Sequence, residues 1–371
     1  MDRLSSMRVA ELDGLRGGAV LLVLIWHFVG GLVDQNLGGW AKPLYGIIIF
    51  GRTGVDLFFV LSGFLITGIV LDRQRSPFAF LRSFYIRRFL RIVPPYLLLL
   101  AVFWSAIALG VRNGAFNTDI PWLHLVTFTQ NWWMSTQDRW GPSAISVTWS
   151  VAIEEQFYVL FPLLVLLTPQ KRLTILFVVI AAGSACFRAA AWLMFHSAFT
   201  MYVQTLSRLD GLAAGAMVAW AWRHPEFQTW MSAHKCTVRR VLKALAWCLP
   251  VFLVALRIDL PLTMAVWGHT YLTMLYALAL LVIIASLPAG GIRMLRQGWL
   301  TRLGAVSYTV YLFHQMFLDG IFLLAGRPER VSTLQDVVLA SVALFSTLLW
   351  SSVSLRYLER PFIKAGRSFR Y

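Results

Sequence analysis

A succession of apolar runs, each long enough or nearly long enough to cross the hydrocarbon of a bilayer, limits what this chain can become. A spanning helix needs about 20 predominantly apolar residues at 1.5 Å rise each. Candidate spans run from Gly17 to Val33, Ile47 to Leu71, Val93 to Val111, Trp149 to Leu167 and Leu173 to Met194. The second half supplies Met201 to Trp222, Val241 to Leu256, Leu262 to Leu287, Leu303 to Ala325 and Val337 to Leu355. Only 13% of the residues are charged and 58% are hydrophobic, against about 25% charged in soluble domains. The alternating segments of about ten residues that build a transmembrane barrel are missing. The expected fold is therefore all-α: one integral-membrane domain over residues 1–371, with about ten transmembrane helices.

Charge sets the orientation. Of the 33 Lys and Arg residues, 24 fall on one side of that ten-span arrangement, and basic residues in short loops stay in the cytoplasm. Both termini are accordingly expected inside. The same asymmetry accounts for the formal charge of +16 without nucleic acid. Three cysteines, Cys186, Cys236 and Cys248, are an odd set with no CxxC spacing, so neither a disulfide framework nor a metal site is indicated. Asp13, Arg16 and His27 border or interrupt the first apolar run, which reads as a retained span rather than a cleavable signal. The longest far-side loop, about Arg112 to Val147, includes Asn131-Trp132-Trp133. Such aromatic side chains favour the membrane interface and also stack on sugar rings.

Ionisable residues inside a bilayer are costly and mark functional sites. Arg16 and His27 lie eleven residues apart; at about 100° per residue they share a helix face, roughly 16 Å apart along the axis. A neutral imidazole at mid-depth can take a proton from a hydroxyl near neutral pH. Arg16 alone also reads as an interfacial anchor. Arg88 and Arg91, three apart ahead of Val93-Pro94-Pro95, project from one side and suit bidentate phosphate binding. Glu154 and Tyr158, four apart in Trp149-Ser150 through Tyr158, face the same way. They could bind an acceptor or orient an imidazole, or Glu154 could satisfy a buried Arg188 or Arg208. Secondary candidates are Asp13, Asp56, Ser62, Arg208, Asp210 and His314; Arg208 and Asp210 read equally as a self-neutralising pair.

Read together, these stretches resemble the membrane-bound acyltransferase-3 family, which includes bacterial O-antigen and exopolysaccharide acetylases. The resemblance rests on Leu12-Asp13-Gly14-Leu15-Arg16-Gly17 with His27, on Gly54 through Leu65, on Arg88 through Pro95 and on Trp149 through Tyr158. Late in the chain, Ser307 through His314 and Glu359-Arg360-Pro361-Phe362 complete it. It implies a multi-pass transferase of the cytoplasmic (inner) membrane, moving an acyl group, usually acetyl, from a coenzyme A thioester such as acetyl-CoA to a hydroxyl. The acceptor class it implies is a cell-envelope polysaccharide, lipopolysaccharide included, or a lipid-linked precursor. His27 and Arg16 would then be the catalytic pair, with Glu154 and Tyr158 beside them, and Arg88 and Arg91 the donor-binding pair. Some relatives carry a C-terminal SGNH esterase-like domain; this chain is expected to be the stand-alone form, with any second step on a separate periplasmic partner. Acylation of a small molecule or lipo-oligosaccharide is the alternative within this chemistry, and a transporter or flippase the alternative outside it.

Overall fold

The computed structural model describes residues 9–32, 48–258, 263–287 and 290–369. Arg3, Arg8 and Arg370, and the expected span ends at Val33, Ile47 and Leu262, lie outside them. Among the described residues there are helices and loops and no β-strand. The chain is an all-α, multi-pass membrane protein: among the described residues seven helices are long and apolar enough to cross a bilayer, and Leu209–Ala221 is a shorter apolar one.

Helix α1, Ala10–Ile25, widens into a π-helical turn at Trp26–Gly30. Helix α2, Gly54–Leu71, follows a 3-10 turn at Ile49–Thr53, and α3 runs Pro77–Ala108. Three short helices, α4 (Trp122–Val126), α5 (Gln130–Gln137) and α6 (Ser143–Ser146), form the loop before α7, Thr148–Leu167. Then come α8 (Leu173–Phe195), the short α9 (Ala198–Val203), α10 (Leu209–Ala221) and α11 (Pro225–Trp247). The remainder is α12 (Leu249–Ile258), α13 (His269–Ser286), α14 (Gly298–Ala305), α15 (Ser307–Leu324), α16 (Leu334–Ser354) and α17 (Arg360–Gly366).

Several boundaries differ from expectation. The seventh span, expected over Val241 to Leu256, falls across the end of α11 at Trp247 and the start of α12 at Leu249. Two others differ for visible reasons. The third span was expected to start at Val93, yet α3 already begins at Pro77 and carries Pro94 and Pro95 inside it. Each proline removes a backbone donor, and the Tyr308 hydroxyl donates to the Ile92 carbonyl at 2.9 Å in that weakened turn. The sixth, expected over Met201 to Trp222, is interrupted between α9 and α10. There Arg188 donates to the Ser207 carbonyl at 2.5 Å, holding the backbone out of a continuous helix.

Without a hydrophobic force between helices in lipid, close packing relies on small residues. A Cβ on Gly63 would lie 1.9 Å from the Leu212 carbonyl oxygen, and one on Gly304 1.8 Å from that of Asp13. These two glycines let α2 meet α10 and α14 meet α1 backbone to backbone. Apolar side chains of α3, α7 and α15 form one buried cluster and those of α1, α2 and α13 contribute to a second.

Candidate active site

A cavity of about 870 Å³ opens where α1, α2, α3, α7 and α15 meet, lined by Arg16, Ser62, Arg88, Arg91, Glu154 and Tyr158 among others. Residues from four helices thus converge, although the sequence separates them by up to 142 positions. Glu154 is held from two sides: Ser62 Oγ donates to its Oε1 at 2.9 Å and Tyr158 Oη to its Oε2 at 3.0 Å. Tyr158 Oη also lies 3.1 Å from Ser62 Oγ, which closes a three-membered hydrogen-bond ring. Glu154 therefore does not satisfy Arg188 or Arg208.

The arginines are less completely matched. Arg16 Nη1 lies 3.4 Å from Asp13 Oδ1. The Arg88 guanidinium sits over the Phe84 ring at 5.5 Å and the Tyr158 ring at 5.6 Å, with its Nε buried and lacking a hydrogen-bond partner. Among the described residues neither Arg88 nor Arg91 takes part in an ion pair. Glu154 and Glu155 line the same cavity, so with Arg16 turned to Asp13 the charge is partly balanced across the site. Neither Arg88 nor Arg91 has a carboxylate within ion-pair distance among the described residues, which leaves their N–H groups open to an anion. Such a site suits phosphate.

His27 lies outside the lining of this cavity. Its ring packs edge-on against His314, centroid to centroid 4.7 Å. Tyr311, a lining residue, has its ring 5.8 Å from that of His314, so one layer of side chains separates the arginines from the imidazole pair. His27 Nδ1 is 3.0 Å from the Val23 carbonyl, and His314 Nδ1 is 2.6 Å from that of Tyr311. A carbonyl only accepts, so each Nδ1 donates and each Nε2 of the neutral ring keeps its lone pair. His314 Nε2 is buried with no partner among the described residues.

Asp56, Arg208 and Asp210 lie elsewhere. Arg208 Nη2 pairs with Asp56 Oδ1 at 2.9 Å and also contacts His269, whose Nδ1 is 3.3 Å from the same carboxylate oxygen. Asp210 pairs with Arg188 at 2.8 Å. Arg208 and Asp210 do not neutralise each other; each has a partner on another helix. Asp56 and His269 line a second cavity together with Arg52, Trp140, Phe199 and Tyr202. Sequence reasoning missed Arg52 and His269. The only local signal for Arg52 was a lone basic residue immediately ahead of Thr53-Gly54 and the second span. No group of three or more His, Cys, Asp or Glu side chains among the described residues could hold a metal ion.

Comparison with known proteins returns a family model described as an acyltransferase domain, matching residues 9–356. A Staphylococcus aureus (strain COL) protein named "Putative O-acetyltransferase" is 28% identical over 96% of this chain and 58% of its own length. The peptidoglycan O-acetyltransferase OatA of Listeria monocytogenes serovar 1/2a is 27% identical over 98% of this chain and 57% of its own. The O-acetyltransferase OatA of Staphylococcus aureus (strain NCTC 8325 / PS 47) is 25% identical, over 96% and 57%. The chain thus spans less than three fifths of the length of these relatives. No solved structure matches.

Proposed function

Since the chain belongs to the acyltransferase-3 family of acyltransferase domains, we propose that it is an O-acetyltransferase of the bacterial cytoplasmic membrane, taking acetyl from acetyl-CoA and delivering it to a hydroxyl of a cell-envelope glycan or its lipid-linked precursor. The observation that carries this reading is the arginine cavity, where Arg88 and Arg91 stand without ion-pair partners among the described residues beside the Glu154–Ser62–Tyr158 ring. The names of the relatives, O-acetyltransferase and peptidoglycan O-acetyltransferase, support the acyl group and the acceptor class.

In this reading Arg16, Arg88 and Arg91 bind the phosphates of the donor at the cytoplasmic side, and the pantetheine arm runs past Tyr158 and Tyr311 toward the imidazole pair. His27 Nε2 removes the proton of the acceptor hydroxyl as its oxygen attacks the thioester carbonyl carbon. The carbon–sulfur bond breaks, the ester forms, and the proton passes from His27 to the departing thiolate. His314 acts as a positioning residue, fixing the face that His27 presents. Glu154 holds Ser62 and Tyr158 as a rigid wall for the arm rather than touching the reacting atoms.

The test is label transfer by the purified full chain in lipid nanodiscs, from radiolabelled acetyl-CoA to a panel of envelope glycans. His27→Ala should lower the rate about 10²–10⁴-fold, the usual contribution of a general base, and Arg88→Ala should raise the KM for donor. Transfer that survives both substitutions unchanged overturns the assignment. Movement of a glycan across the bilayer with no donor present would favour a transporter instead.

A further inference from the structure

The second cavity has a composition that the chemistry of acyl transfer does not require. It measures about 840 Å³ and opens at the start of α2, where Asp56 of this cavity adjoins Val55 of the arginine cavity. Arg52 stands in its wall with the guanidinium carbon 5.1 Å from the Trp26 ring centroid and 5.1 Å from that of Tyr202. Two rings thus cover the guanidinium group. Cation–π contact uses the faces of the rings and the charge of the guanidinium, but it supplies no acceptor for the N–H groups of a planar fork.

A carboxylate is present in the same cavity, and it is already taken. Asp56 accepts from Arg208 at 2.9 Å and lies 3.3 Å from His269. Among the described residues Arg52 has no ion-pair partner. Its charge is therefore unmatched in a concave wall whose other members include Trp140 and Phe199, ring centroids 4.7 Å apart and perpendicular. Aromatic surface receives the apolar face of a sugar ring, and an unpartnered guanidinium receives an anion.

From this juxtaposition we propose that the Arg52 cavity is the acceptor subsite and that it selects saccharides bearing an anionic group. The proposal rests on the acyl-transfer reading for its role, though not for the binding it predicts. Trp26, which covers Arg52, is the immediate neighbour of His27 in the π-helical turn. His27 is not itself in the lining of this cavity, so in the proposal a saccharide anchored by its negative charge at Arg52 reaches past Trp26 to present its hydroxyl to the general base. The anion can be a sugar carboxylate or a sugar phosphate; both present oxygens that a guanidinium binds in bidentate fashion.

Three probes separate these sources: glucose, glucuronic acid and glucose 1-phosphate, titrated against the full chain in nanodiscs by saturation-transfer NMR. One or both acidic sugars should reach half-saturation at a concentration at least about tenfold below glucose, a discrimination of about 1.4 kcal/mol. Which of the two does so identifies the anion. Arg52→Gln should erase the preference, Arg52→Lys should keep part of it, and Trp140→Ala should weaken all three sugars while preserving their order. Equal binding of all three sugars by the unsubstituted protein overturns the proposal, as does a preference that survives Arg52→Gln. Acetyl-CoA binding, measured in parallel, keeps the two readings apart. Acid preference through Arg52 without acetyl-CoA binding would sink the transferase reading and uphold this subsite; acetyl-CoA binding without acid preference would do the reverse.

Discussion

Glu154, on the proposed reading, shapes the site without reacting. Its two oxygens accept from Ser62 and Tyr158, and hydrogen bonds to a charged partner are worth about 1.5–3 kcal/mol each. Replacing it by Gln keeps the volume but turns one acceptor into a donor facing a hydroxyl. Glu154→Gln should therefore lower kcat/KM by about 10–100-fold, the equivalent of one such bond, with folding retained; steady-state transfer assays and a melting curve together check it. The residues of this cavity were readable beforehand where spacing alone brings them together. Arg88 with Arg91, and Glu154 with Tyr158, are three or four apart on helices, so their shared faces follow from helical geometry. Arg52, His269 and Arg188 were not readable in that way. Their meaning comes from partners 19 to 213 positions away or from rings across a cavity, and no local pattern encodes such contacts.

Helices α2 and α10 meet without intervening side chains at Gly63, where a Cβ would fall 1.9 Å from the Leu212 carbonyl oxygen. That obstacle is backbone, which cannot rotate aside as a side chain would. Gly63→Ala should thus push the two helices apart and destabilise the protein by about 1–3 kcal/mol, the usual cost of overpacking, read as a lower midpoint in thermal unfolding in detergent. Gly18→Ala, where a Cβ would meet nothing within 4 Å, serves as the neutral comparison. Apolar runs reveal that helices exist, since length and hydropathy suffice for that. They are silent on what happens within a helix. His27, at the start of the π-helical turn Trp26–Gly30, packs against His314 and is not in the lining of the arginine cavity, as about three helical turns from Arg16 allow. Nothing in the apolar pattern of the first span foretells that change of pitch or the His314 partner.

Across the chain as a whole, the two cavities draw on successive, partly overlapping stretches of the same helix. Arg52, Thr53 and Asp56, at the start of α2 and in its preceding turn, line the second cavity, whereas the arginine cavity takes Val55, Phe58, Phe59, Ser62, Leu65 and Ile66 of the same helix. Tyr311 belongs to the wall of the arginine cavity, and its contact with His314 leads on to His27. On the proposed reading, a charged nucleotide donor enters at the arginine cavity and a polar acceptor at the Arg52 cavity. That reading requires one orientation, because coenzyme A is a cytoplasmic compound and the arginine cavity would have to face it. The charge asymmetry of the loops puts the residues around Ser76 inside and those around Thr118 outside. Starting from a protein with Cys186, Cys236 and Cys248 replaced by Ser, single Ser76→Cys and Thr118→Cys variants, both at exposed positions, should respond oppositely to a membrane-impermeant maleimide. Thr118→Cys should label in intact cells, and Ser76→Cys only after the membrane is opened. The reverse pattern would place Arg88 and Arg91 on the side that lacks their donor, and the assignment of that cavity to coenzyme A would fall.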